Sequence, residues 1–242
     1  SEMRAYGFNL NFGPVLDLNI NPRNPIIAGR RRSFGNRPEL VTAFAQAFIS
    51  AHRDAGVLTA GKHFPGHGSS LDDSHRRLVD LTASWNEAEL DPYRVLAGRK
   101  MLDMVMVGHL FHPVFSPQGR VPATYSNIAI GKILRGQVGY KGVVVTDDLA
   151  MQAAANGYTM RQRLIRSIQA GNDILLITKG PALRPGFAGR AISAIRKEVE
   201  SGRLTRKRIS ESYQRILAMK RELLSRQKIM RARTRNQSEA RN

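Results

Sequence analysis

Five short apolar runs, separated by stretches with a helical period, constrain the fold of this chain more than any other feature. The runs cover residues 10–18, 57–63, 101–109, 142–147 and 173–178. Most of them are continuous rather than alternating, which is typical of parallel strands that are covered on both faces. We therefore expect five buried strands.

The intervals between the runs have the periodicity of amphipathic helices. Predicted helices cover Pro38–Asp54, residues 87–98, residues 128–134 and Met160–Ala170, and a last one begins near Thr205. In the first of these, the expected apolar positions include Val41, Phe44 and Phe48. Strands that alternate with helices predict a parallel sheet with crossover helices, either a barrel or a doubly wound sheet.

Polar residues at the ends of successive runs favour the barrel. They are Asp17, Lys62 with His63, His109, and Asp147 with Asp148. Barrel enzymes place their functional groups at the carboxyl ends of several strands, whereas a doubly wound sheet gathers them at one switch point, usually with a glycine-rich phosphate loop. The sequence contains neither GxGxxG nor GxxxxGK[ST]. The predicted fold class is an α/β TIM (β/α)8 barrel, represented here by about its last five βα units, and we expect about three more units before Ser1.

The charge of the chain is concentrated at its end. The net charge is +19, and residues 196–242 contain 15 Lys/Arg and 5 Asp/Glu, a net charge of +10. We interpret this as a solvated helix face followed by a basic, disordered tail over residues 226–242, with the barrel domain at 1–225. No helix-turn-helix, zinc-finger or RRM pattern predicts specific nucleic-acid binding. No apolar run reaches the roughly 20 residues of a membrane span.

The segment KHFPGHGSSLDDSH, residues 62–75, contains three of the six histidines. His63 and His67 have the i, i+4 spacing of a helical zinc site, but Pro65 and Gly66 between them oppose a helix. We therefore predict no metal site. Two glycines around His67 indicate a shaped turn that brings backbone close to a ligand.

Two further elements bear side chains suited to acid–base chemistry. Asp73 and His75 are two residues apart, so the carboxylate can bind one ring nitrogen and leave the other free for proton transfer, although a surface ion pair is the alternative. In VVVTDDLAM, a buried strand ends in two aspartates. Asp147 is placed to be a nucleophile or a metal ligand, whereas Asp148 could instead cap the following helix.

Taken together, these motifs resemble those of glycoside hydrolase family 3, in particular its bacterial β-N-acetylhexosaminidase branch of cell-wall recycling. The motifs, in the family's order, are NLNFGPVLDLN (9–19), RRSFG (31–35), KHFPGHG (62–68), DSH (73–75), PATYS (122–126) and GVVVTDDLAM (142–151). The resemblance covers about residues 5–220. KHFPGHG followed by DSH is highly specific, whereas DDLAM alone is weak.

The resemblance implies a role for each matching residue. Asp147 corresponds to the nucleophile of a retaining mechanism, His75 to the general acid/base and Asp73 to its partner. The residues implied to bind N-acetylglucosamine in the −1 subsite are Arg32, Lys62 and His63. No cofactor is expected, and the expected ligand is an N-acetylglucosamine-containing, muropeptide-like saccharide.

The roles of two strand-end residues stay open. Asp17 could bind substrate or anchor a neighbouring arginine, and His109 could line the pocket or be a satisfied core histidine. The alternatives to the expected activity are a β-glucosidase or β-xylosidase of the same family and a non-catalytic basic remnant. The resemblance also implies an upstream segment with a sugar-binding aspartate, which this sequence does not contain, so we expect the isolated chain to be impaired. We expect a cytoplasmic location, with a periplasmic or secreted one as the alternative, and the sequence does not indicate an oligomeric state.

Overall fold

The computed structural model of the protein describes residues 2–180 and 184–239. The α-helices are α1 (Glu2–Ala5), α2 (Pro38–Asp54), α3 (Asp91–Gly98), α4 (Gln152–Ala155), α5 (Met160–Ala170), α6 (Phe187–Glu200) and α7 (Arg206–Glu239). The strands are β1 (Leu10–Asn11), β2 (Leu58–Phe64), β3 (Val79–Asp80), β4 (Met104–Val107), β5 (Leu110–Phe111) and β6 (Val143–Thr146). Short 3-10 helices cover Glu87–Leu90 and Ala123–Tyr125, and a π-helix covers Ile128–Gln137.

The main sheet is parallel and its strands follow one another in chain order. Its order is β1-β2-β4-β6, and every pairing within it is parallel. Ile174, in the fifth predicted run, forms a single parallel bridge with Val145 of β6 and so takes the next position. A sheet without a reversal of strand order has no switch point, so the architecture is that of a partial barrel, as the polar strand ends predict.

Each face of the sheet is covered by different elements. On one face, Val105, Val107 and Val144 pack with residues of α2, α3 and the π-helix in the largest apolar cluster. On the other face, Ala60, Met104 and Val143 form a smaller cluster against Ile216 and Met219 of α7. Burial on both faces explains why the strands have continuous rather than alternating apolar runs.

The final helix is longer than the sequence predicts. Residues 226–239, expected to be a disordered tail, continue α7, whereas residues 240–242 lie outside the described residues. Arg226 bonds Asp103 at 2.9 Å, and the Gln227 side chain donates to the Gly56 carbonyl oxygen at 3.1 Å. These contacts with polar partners tie the helix to the domain where its apolar pattern fades.

None of the helices in the described part of the chain combines the length and the apolar character needed to cross a membrane.

Candidate active site

Asp17 is the buried foundation of the site. Its carboxylate accepts hydrogen bonds from the backbone N–H groups of His63 (3.0 Å) and His67 (2.9 Å) and from Nδ1 of His63 (2.7 Å). Burial works to raise the pKa of Asp17, but the charges and hydrogen bonds of the two histidines outweigh burial and lower it. Asp17 therefore anchors histidines rather than an arginine, and it fixes β2's end against the turn that follows.

The turn after β2 is shaped by glycines and by Glu89, which the sequence analysis did not single out. Glu89 Oε2 accepts the backbone N–H of Gly68 at 2.7 Å, while Oε1 accepts the Ser69 hydroxyl at 2.6 Å. A Cβ on Gly68 would lie 1.6 Å from the Leu18 carbonyl oxygen, and one on Gly66 would lie 2.4 Å from Glu89. Only residues without a side chain fit these two positions.

Asn24 is a second positioning residue that the motifs did not reveal. Its buried side-chain amide donates to the carbonyl oxygens of His67 and Gly68, while its oxygen accepts the backbone N–H groups of Ile26 and Ile27. One side chain therefore joins the segment leading to Arg32 to the turn after β2. Asx-type bonds of this kind hold loops that have no sheet partner.

Asp73 and His75 form the expected pair. Asp73 Oδ1 accepts both the backbone N–H of His75 at 2.7 Å and its ring Nδ1–H at 2.8 Å. The His75 side chain is 55% exposed and the Asp73 side chain 18%. Burial works to raise the pKa of Asp73, but the bonds from His75 dominate and lower it, so the carboxylate stays ionised. With Nδ1 held, Nε2 of His75 is the nitrogen available for proton exchange.

Asp147 follows β6 directly and is surrounded by cationic and imidazole groups. Burial acts to raise its pKa, but His63, His109, the Asp148 N–H and Lys62 together lower it. Its Oδ1 accepts that N–H at 2.8 Å. The result is a carboxylate that stays ionised in a recess, as a nucleophile requires.

A cavity of about 480 Å³ brings most of the predicted site residues together. Its lining includes Arg32, Lys62, His63, His75 and Asp147, the five residues for which the resemblance implies contact with the sugar. The lining also includes apolar side chains that no motif indicated, namely Phe12, Ile26, Met106, Met151 and Leu176. Its mixture of polar groups and apolar walls is typical of a small-ligand site.

The basic groups of the cavity interact with one another and with the buried carboxylates. Burial, and next the Arg32 guanidinium, lower the pKa of Lys62, although Asp147 and Asp17 oppose the shift. Because Nδ1 of His63 donates to Asp17, its Nε2 presents a lone pair to Arg32 Nη2 at 3.4 Å. Lys62 and Arg32 thus remain as the donors that this part of the cavity offers to a ligand.

Two other histidines do not have free ring nitrogens. His67, fully enclosed, contacts the hydroxyls of Ser70 and Ser74, and burial lowers its pKa to about 4. His109 is buried between the Thr124 hydroxyl at 2.8 Å and the Asp148 carbonyl oxygen at 3.0 Å, which matches the satisfied-core alternative. In the described ranges, no group of three or more His, Asp and Glu side chains is arranged to hold a metal ion.

The family model of the glycosyl hydrolase family 3 N-terminal domain matches residues 1–219. The chain belongs to glycosyl hydrolase family 3. It is 39% identical over 188 residues to a beta-hexosaminidase of Alkalilimnicola ehrlichii, an alignment that covers 76% of this chain and 52% of that protein. The chain thus spans about half the length of this curated relative.

Two solved structures have the same architecture over most of this chain. A beta-N-acetylglucosaminidase from Paenibacillus sp. str. FPU-7 superposes with a TM-score of 0.84 at 38% identity, over 92% of this chain and 41% of that one. A beta-glucoside phosphorylase superposes with a TM-score of 0.80 at 30% identity, over 92% and 40%. The predicted family and the barrel-type fold are therefore confirmed.

Asp148 is best understood within this family 3 barrel as a structural residue. It does not cap α4; instead, its carboxylate accepts the backbone N–H of Ala150 and both the N–H and the hydroxyl of Thr178. These bonds join the segment after β6 to the fifth predicted strand. Both aspartates line the cavity, but the Asp148 carboxylate is engaged by these bonds, whereas Asp147 Oδ1 accepts the Asp148 N–H and leaves its second oxygen for a ligand.

Proposed function

We propose that the protein containing this chain is a retaining exo-β-N-acetylglucosaminidase. The observation that supports this proposal best is that Asp147 and His75 line one cavity, the first held ionised and the second fixed by Asp73 with Nε2 free. A nucleophile and an acid/base that face the same ligand are what retention requires. The similarity to a beta-hexosaminidase and a beta-N-acetylglucosaminidase supports the substrate class.

In the first step of the proposed mechanism, the Asp147 carboxylate attacks the anomeric carbon. The bond from that carbon to the leaving oxygen breaks as protonated His75 gives its Nε2 proton to the oxygen. A glycosyl ester on Asp147 and a neutral His75 result. In this proposal, the hydroxyl and acetamido groups of the sugar bind to Lys62, His63 and Arg32, which line the cavity.

In the second step, neutral His75 takes a proton from water as the water oxygen attacks the anomeric carbon. The ester bond breaks and Asp147 regains its charge, so the sugar leaves with the configuration it had at the start. Asp73 stabilises the imidazolium in both steps and holds its tautomer, in the manner of a buried carboxylate behind a catalytic histidine.

The test measures hydrolysis of 4-nitrophenyl β-N-acetylglucosaminide against the corresponding glucoside. We expect the N-acetylglucosaminide to be preferred and Asp147→Asn to abolish turnover. His75→Ala should lower kcat/KM by about 10²–10⁴ with a poor leaving group. With 2,4-dinitrophenol, which leaves without protonation, the loss in the glycosylation step should be much smaller. Equal losses with both leaving groups would contradict the role of His75.

We propose peptidoglycan-derived fragments with a terminal N-acetylglucosamine as the natural substrates. This choice rests on the resemblance of the KHFPGHG and DSH motifs to the cell-wall-recycling branch. Release of N-acetylglucosamine from purified muropeptides, followed by mass spectrometry, tests it. Activity on chitobiose without activity on muropeptides would refute it.

A second candidate function is cleavage of β-glucosides with phosphate as the acceptor. It is favoured by the similarity to a beta-glucoside phosphorylase and by the neutral state of His75 after the first step, which repels an incoming anion less than a carboxylate would. Sugar 1-phosphate formed from donor and phosphate would support it. If only free sugar forms at saturating phosphate, the hydrolase is the correct assignment.

A further inference from the structure

A second cavity, of about 570 Å³, adjoins the candidate active site at Arg30 and at the Asp73–His75 pair. Its lining consists of Pro25, Arg30, Leu71, Asp72, Asp73, Arg76 and Arg77. Asp73 lines this cavity while His75 lines the first, and Arg30 lines both. The proton-transfer pair and one guanidinium therefore form the boundary between the two cavities.

The charges of the second cavity are not balanced. Arg77 is paired with Asp72, and Asp73 is already engaged by His75. Arg76 is 86% exposed and forms only a long ion pair with Asp73, at 3.9 Å. The Arg30 side chain has no hydrogen bond or ion pair with any residue that the structure describes. Among the described residues, the Arg30 guanidinium has no such partner, and the Arg76 guanidinium has only a long, exposed contact that an anion can replace.

The positions of these two arginines are set by the fold. Arg30 lies in the segment whose start is pinned to the turn after β2 by Asn24, and the backbone N–H groups of Gly29 and Arg31 bond within that segment. The backbone N–H of Arg76 donates to the Asp73 carbonyl oxygen at 3.0 Å. Arg76 is therefore placed by the same short turn that orients His75.

We propose that this cavity binds a carboxylate carried by the leaving group of the substrate, through Arg30 and Arg76. The inference rests on the proposed function, because it takes His75 as the group that protonates the glycosidic oxygen. The leaving group then lies beyond His75, where the second cavity begins. Planar guanidinium groups suit a carboxylate because they can donate two parallel hydrogen bonds.

The test uses two hydrolysis-resistant ligands that differ only in charge. These are the 4-carboxyphenyl and 4-carbamoylphenyl 1-thio-β-N-acetylglucosaminides, and the dissociation constant of each is measured by calorimetry with this chain at low ionic strength. Exposed ion pairs are weak, so we expect the carboxylate to bind about threefold more tightly. The preference should shrink at 1 M salt, where screening is strong.

Variants identify the residues responsible. The double variant Arg30→Gln/Arg76→Gln should bind both ligands equally, and Arg76→Glu should prefer the carbamoyl ligand. Arg37→Gln is the matched control, since Arg37 is an exposed arginine that lines neither cavity, and it should keep the preference. Equal affinities in the unmodified protein, or a preference that survives in the double variant, would overturn the proposal.

Inorganic phosphate is the competing source of negative charge. If the preference for the carboxylate ligand is unchanged by 10 mM phosphate, the cavity is a site for the leaving group. If phosphate abolishes the preference and sugar phosphate forms from the oxygen-linked substrates, the cavity serves an acceptor and the proposal fails. If the neutral oxygen-linked glycoside is hydrolysed but the carboxylate ligand is not preferred over the carbamoyl ligand, this inference alone fails. If the protein that contains this chain neither binds nor hydrolyses either glycoside, the proposed function fails as well.

Discussion

Glu89 provides the sharpest quantitative test of how the turn after β2 is held. The carboxyl group is buried, and burial above all raises its pKa from 4.5 to about 8, while the nearby Asp17 charge acts in the same direction and bonds from Ser69 and Gly68 oppose it. Between these two pKa values the folded protein binds a proton that the unfolded chain has released. The stabilisation is therefore complete below pH 4.5 and is lost as the pH rises through 8.

The size of the effect follows from the same two values. One unit of pKa difference is worth about 1.36 kcal/mol. From pH 6.5 to pH 8.0, allowing for half-ionisation at the upper limit, Glu89 should cost the protein about 1.5 kcal/mol of unfolding free energy. His67 acts in the opposite direction, because its pKa is lowered to about 4, but it titrates mostly below this window.

The perturbation is Glu89→Gln, measured by urea unfolding at 25 °C at both pH values. The amide cannot accept from both Gly68 and Ser69 N–H groups, so the variant should be about 1–3 kcal/mol less stable at pH 6.5. The deficit should narrow by about 1.5 kcal/mol at pH 8.0, since the variant has no proton to lose there. Glu200→Gln, an exposed change, should leave the pH dependence intact. Parallel pH profiles for Glu89→Gln and the unmodified protein would refute the reasoning.

Two further substitutions test the positioning of the site. In thermal unfolding, Gly68→Ala should destabilise the protein by about 3 kcal/mol or more, because the new Cβ meets the Leu18 backbone. The control is Gly98→Ala, in a helix, where the new Cβ meets nothing within 4 Å. This control should be neutral or stabilising by up to about 1 kcal/mol. Asp17→Asn should reverse the tautomer of His63 and lower kcat/KM about 10²-fold. NMR of the ring proton reports the tautomer. An unchanged tautomer would exclude the idea that Asp17 acts by orienting His63.

Helix bounds were more predictable from the sequence than helix faces. The bounds of α2 and α5 agree with the predicted ones. Proline marks the start of α2, and a glycine directly after α5 marks its end. The buried face of α2, however, is Val41, Ala45 and Ile49, while Phe44 is 52% exposed. Apolar residues occur all around this helix, so the periodicity alone could not fix which side meets the sheet.

The groups proposed to react with substrate could be found from motifs, whereas the groups that position them could not. Asp147, Asp73 and His75 occur beside strand ends or as a short local pair, so the chemistry of neighbours in sequence indicates them. Glu89 and Asn24 act over 20 or more positions in sequence, on backbone N–H or carbonyl groups of a turn. Almost every residue has the same backbone N–H and carbonyl groups, so a side chain that bonds to backbone requires no particular residue type as its partner. Only the folded chain reveals such a bond.

Positioning residues are needed here because the backbone beyond the end of a strand has no partners in the sheet. A parallel strand satisfies its own backbone groups through the ladder, but the turn after β2 leaves the N–H groups of His67, Gly68 and Ser69 without ladder partners. Asp17 and Glu89 accept these donors, and burial of two carboxyl groups is tolerable because one is held ionised by histidines and the other binds a proton. Asp17, which accepts a hydrogen bond from the turn, also binds the ring of His63. His63 in turn helps to lower the pKa of Asp147. Changes to either buried carboxyl should therefore alter catalysis as well as stability.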